Sequence, residues 1–149
     1  MRRISIAGQS FEFAAAKLVA YHCAAGEADW NLELVREGES RWLSGTIVPG
    51  PRTPADLEGA AMRLDPRSLD EIAEHLTGRI VSLYPRQEDA LESRLARTAS
   101  GVRFSITLEA DWDPELASFA APGVIPVEIE IEAEVGGLYP GRLPDPGHE

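Results

Sequence analysis

The chain has 149 residues, 44% of them apolar and 26% charged, with a formal net charge of −11. That length suits one domain with a core that needs no covalent staples, and the composition excludes a disordered or low-complexity chain. A lone cysteine, Cys23, excludes an intramolecular disulfide and a cysteine-rich metal site, and no run of roughly 18 apolar residues is present to span a membrane.

The charge is unevenly spread. Residues 1–100 hold 15 acids against 12 basic side chains, whereas residues 101–149 hold 10 acids against only Arg103 and Arg142. A field of that sign repels phosphate backbones, so no nucleic-acid partner is expected, and it speeds the approach of a cationic one. The basic start at Arg2 and Arg3 resembles a leader, but Gly8, Gln9, Ser10 and Glu12 interrupt the hydrophobic region that a leader needs. With the lone cysteine this reads as a cytoplasmic protein.

In chain order, the first element is a β-hairpin. Ile4, Ile6, Phe11 and Phe13 alternate with polar residues around Gly8-Gln9, a pair that suits a type II′ turn and sets Ile6 opposite Phe11. Residues 14–25 carry both helical spacing and a strand-like Leu18-Val19-Ala20-Tyr21 run, and strand is the preferred reading. A second hairpin runs from Trp30 to Val48. Its four-residue loop, residues 37–40, would oppose Leu34 to Leu43 and Val35 to Trp42. Trp30, Leu32, Leu34, Leu43, Gly45 and Ile47 then face the core, and Trp42 stands on the polar face.

Three prolines within residues 49–54 make a loop, and residues 57–64 are read as a strand. Leu69, Ile72, Ala73 and Leu76 form one stripe of a helix over about residues 67–77, packed against a sheet. Ser68 with Glu71 fits a capping box, Asp65-Pro66 offers a start one turn earlier, and Gly78 closes the end. A strand over residues 80–84 follows, then a third hairpin of residues 91–98 and 102–111. Val127, Ile129, Ile131, Ala133 and Val135 alternate with Glu128, Glu130, Glu132 and Glu134, so one face is buried and the other wet. The fold class is therefore α+β, with about eight or nine short, mostly antiparallel strands and one helix packed on the sheet. Residues 1–135 form the domain, and residues 136–149, with four glycines and three prolines, read as a flexible tail.

Catalytic signatures are missing: there is no G-x-G-x-x-G, P-loop, G-x-S-x-G or H-E-x-x-H. His75 lies at the helix C-terminus, where a cation complements the dipole. His22 adjoins Cys23, but sequence neighbours point apart on a strand and diverge on a helix, which argues against a thiol–imidazole pair. Asp111 and Asp113 could hold a divalent cation or a shared proton, although Asp113-Pro114 also reads as a helix N-cap and first helical position leading into a short turn through Phe119. No metal or cofactor is expected.

The four glutamates are the sharper feature. At about 6.6–6.8 Å apart they are too widely spaced for neighbours to share one ion, and they suit a row of cations on another protein or on an adjacent strand. Trp42 adds an aromatic of the kind enriched in interface hot spots. The sequence thus points to a non-catalytic module, of inhibitor or immunity type, that uses Glu128, Glu130, Glu132, Glu134 and Trp42 to bind a basic protein. The alternative is a small-molecule binder or enzyme with a pocket between sheet and helix.

Overall fold

A computed structural model describes residues 1–24, 26–78, 81–114 and 123–141. The strands are β1 (Arg2–Ile6), β2 (Gln9–Glu12), β3 (Ala15–Tyr21), β4 (Ala28–Arg36), β5 (Glu39–Val48) and β6 (Ala61–Leu64). After helix α1 (Pro66–Thr77) come β7 (Val81–Pro85), β8 (Glu92–Arg94), β9 (Ala96–Arg97), β10 (Gly101–Pro114) and β11 (Gly123–Leu138). Short 3₁₀ turns occupy Pro54–Leu57 and Glu88–Leu91. The α+β class holds, but the eleven strands form one mixed sheet, because β3 runs parallel to β11. The ambiguous segment at residues 14–25 contributes β3, a strand that buries Ala16, Leu18 and Ala20.

Both N-terminal hairpins differ by two residues in register from the sequence reading: the first keeps a two-residue turn but moves it back by one residue, and the second closes on two residues rather than four. Ile4 pairs with Phe11 and Ile6 with Gln9, and the turn residues Ala7 and Gly8 have φ of 52° and 82°. Leu32 pairs with Leu43 and Glu33 with Trp42, across Glu37 and Gly38 at 54° and 80°. Two consecutive left-handed residues define a type I′ turn, whose twist matches that of the flanking strands and places glycine second rather than first. A register shift of two residues leaves every side chain on its expected face. Trp30, Leu32, Leu34, Leu43 and Ile47 are accordingly buried, and Trp42 is 52% exposed.

The sheet curls until it meets itself, and the closure differs between the two halves of the wall. In one half, β5 pairs with β6 over residues 45–48, β6 pairs with β8, and β9 pairs with the start of β10. The expected third hairpin is therefore split. Residues 92–94 turn to β6, and only residues 96–97 stay with β10. In the other half, the edge of β5 away from β4 has no strand beside residues 39–44 among the described residues, and α1 takes that place. Asp65 donates its N–H to the Ser44 carbonyl, and the Ser44 N–H donates to the Ser68 hydroxyl at 3.1 Å. Beyond the helix, Asp70 accepts from the Leu83 N–H at 2.9 Å, and β7 pairs with the last residues of β10. Side chains from all sides fill the interior as one continuous core.

The helix starts at the earlier of its two candidate sites. Asp65 is the N-cap, accepting from the Arg67 N–H at 3.0 Å, and Pro66 occupies the first turn, where a missing N–H does no harm. Ser68, expected in a capping box, instead turns inward to Ser44. Leu69, Ile72 and Ala73 are buried and Leu76 is half-buried, while Gly78 ends the helix at φ 71°. The strand expected over residues 57–64 is shorter, because a 3₁₀ turn precedes β6. Asp113 and Pro114 lie in β10 opposite Ser82 and Val81, so they continue a strand where a helix start was expected. The connection through Phe119 lies outside the described residues.

Candidate functional site

Strand β11 is the hub of the sheet. It pairs with β10 through residues 123–134, with β1 through residues 127–131, and with β3 through residues 134–138. Val127, Ile129, Ile131 and Ala133 are buried, so period-two alternation turns Glu128, Glu130, Glu132 and Glu134 outward. Trp42 belongs to the same outer surface. Trp42 pairs with Glu33, Glu33 with Lys17, and Lys17 with Glu134, a row that crosses β5, β4, β3 and β11 without a break. At about 4.8 Å per strand, the row sets Trp42 roughly 14 Å from Glu134. The two features singled out in the sequence thus share one face.

That face carries its own cations. Arg3 on β1 meets Glu130 at 3.1 Å, Arg103 on β10 stands opposite Glu132, and Lys17 lies between Glu33 and Glu134. Glu128 has only Ser5 and Thr107 beside it. The ladder is therefore graded. Glu130 is engaged, Glu132 and Glu134 each have a cation across the strand, and Glu128 has no cationic cross-strand neighbour. Acids remain in excess over the surface as a whole.

A second cluster lies at the other end of the β3–β5 face. Tyr21 pairs with Asp29, Asp29 with Thr46, and Thr46 with Arg63. A hollow of about 330 Å³ opens there between β5, β6 and the start of α1, and Ser44, Asp65 and Pro66 complete its lining. His22, in a left-handed conformation with φ 54°, places Nδ1 3.0 Å from an Asp29 carboxylate oxygen. Burial raises the Tyr21 phenol above its ordinary range, and the nearby Asp29 charge adds to the shift. Burial likewise raises the Cys23 thiol, against a bond from the backbone at Tyr139. A raised thiol pKa leaves less thiolate, which is the nucleophilic form. The His22–Asp29 pair escaped the sequence reading because it spans the β3–β4 connection, and the only local signal was a histidine at the end of an apolar strand.

The remaining expectations resolve simply. His75 sits in the last turn of α1 with Nε2 3.5 Å from Glu39. Asp111 is bridged by Arg86 at 3.1 Å. Among the described residues, no three potential metal ligands converge, and no helix is long and apolar enough to cross a membrane. No protein-family model, curated protein or solved structure matches the chain.

Proposed function

We propose that the chain is a non-catalytic binding module, of inhibitor or immunity type, whose outer β11–β5 face docks a basic partner protein. The observation that carries this reading is the unbroken Trp42–Glu33–Lys17–Glu134 row, which joins a half-exposed tryptophan to the glutamate ladder. An aromatic anchor beside a surface with acids in excess is how an interface combines slow release with fast, steered encounter. The test is capture of the partner from its native host, followed by stopped-flow association. Replacing Glu128, Glu130, Glu132 and Glu134 with glutamine should slow association about tenfold at low salt, and W42A should mainly speed dissociation. A captured protein that is not basic, or one whose association ignores both salt and the substitutions, would remove the reading.

A second reading rests on the hollow beside Asp29, where hydroxyls, carboxylates and one guanidinium converge next to a histidine–carboxylate pair. That constellation suits a small polar ligand or an acid–base step. A ligand screen by thermal shift, repeated on D29N, separates the two. Hits lost in D29N favour the hollow, and hits indifferent to it do not.

A further inference from the structure

The seam where β8 and β9 hand over from β6 to β10 leaves an outward hollow of about 350 Å³. Its lining includes small side chains, Ser93, Ala96 and Ser105, and two long basic ones, Arg94 and Arg103. Ala96 pairs directly with Arg103, and the Ser93 hydroxyl donates to the Ser105 carbonyl at 2.9 Å, which ties the two sides of the seam together.

The charge state of this hollow differs from that of the protein around it. Arg94 donates to the Gly59 carbonyl at 2.9 Å, a contact that fixes the side chain without neutralising it. Neither Arg94 nor Arg103 forms an ion pair among the described residues. Two acids also line the hollow, Glu130 and Glu132, but Glu130 is already bridged by Arg3. Two guanidiniums thus share the hollow with one unbridged carboxylate, Glu132, which stands opposite Arg103 without an ion pair to it among the described residues, on a chain whose net charge is −11. The Ser105 hydroxyl makes no hydrogen bond within the described residues, so it can donate into the hollow.

We infer that this seam hollow is a binding site for a small oxyanion, a carboxylate or a phosphate group, held by the guanidinium forks of Arg94 and Arg103 and by the Ser105 hydroxyl. Planar forks match the oxygens of either group in pairs, and charge-assisted bonds of this kind are the strong class. Because both arginines are exposed, the site is weak and salt-sensitive, with a dissociation constant of about 1 mM at low ionic strength. Its ligand differs from the basic protein proposed above; Glu130 and Glu132 belong to both readings, and Glu132, which no arginine bridges among the described residues, acts in opposite senses in the two. It attracts the basic partner and repels the anion.

The experiment is a titration of the intact chain, followed by amide NMR at constant ionic strength, with inorganic phosphate in one arm and glutarate in the other. Saturable shifts confined to residues 93–96 and 103–105 are expected. R103Q should weaken binding about tenfold, R103K should fall between R103Q and wild type, and E132Q should tighten it a few-fold. Saturation by phosphate alone, by glutarate alone or by both supports the site and sets the ligand class. Shifts that do not saturate, that occur equally around Arg52 and Arg67, or that ignore R103Q overturn it. A melting midpoint unchanged in R103Q shows that the fold is intact. E132Q then keeps the two proposals apart, because it strengthens anion binding while it slows a basic partner.

Discussion

Asp70 accepts the Leu83 N–H while partly withdrawn from water, and these two circumstances pull its carboxyl in opposite directions. Desolvation, the larger influence, raises its pKa above the ordinary 3.8, the Leu83 bond lowers it, and the charges of Asp65 and Glu71 raise it further. The folded chain therefore holds this proton more tightly than the unfolded one. The resulting stability is full below the ordinary value and is lost as pH climbs through the raised one. D70N keeps an acceptor for Leu83 without the charge, so it should flatten stability against pH just above 3.8. D70A leaves the N–H of a buried residue unpaired and should cost about 1–3 kcal/mol, measured by chemical denaturation at neutral pH. Helical periodicity marks Asp70 only as lying off the apolar stripe, because its role depends on a strand 13 residues further on. Gly45 was more legible, since a glycine inside a strand signals close approach of another backbone. A Cβ there would stand 1.8 Å from the Arg63 carbonyl oxygen and 2.9 Å from Trp30. G45A should therefore cost about 3 kcal/mol in the same assay, with the β5–β6 pairing forced apart.

Among the elements, α1 does two jobs that its amphipathic pattern alone does not reveal. The apolar stripe, readable from spacing, buries Leu69 and Ile72 in the core. L69A should cost about 2–5 kcal/mol by urea unfolding, and L76A should cost less, because Leu76 is only partly covered. The second job is to stand where a strand would otherwise lie, with its first turn bonded to Ser44 and Asp70 reaching β7. Sequence reasoning packed the helix against a sheet without placing it along the β5 edge, since alternation tells which face is buried but not what lies beside a strand. The tight hairpin turns teach the same lesson. Parity gave the correct face for Ile4, Phe11, Leu32 and Leu43, while the partner of each depended on Ala7 and Glu37 accepting a positive φ. The outward glutamates were legible for the same parity reason. Their partners Arg3, Arg103 and Lys17 were not, because they arrive from three other strands.

At the scale of the whole molecule, the sheet depends on pairings between residues far apart in sequence, as in the Arg3–Glu130 bridge. Topologies dominated by such pairings fold on the millisecond-to-second scale, and stopped-flow refolding should place this chain there. Where alternation fades at Val135, the strand itself continues. Gly137 and Leu138 pair with Val19 and Ala20, and the Gly141 carbonyl accepts the His22 N–H. Ending the chain at residue 135 strips half of the parallel register from β3 and should lower the midpoint by several degrees in a thermal scan. The central place of β11 also matters while the chain is being made. A ribosome releases β1, β3 and β10 before it has completed the one strand that all three flank. Until that strand emerges, the nascent protein carries three open ladders able to join a neighbour of the same kind, so premature termination products of this chain should be sticky in a way that the finished molecule is not.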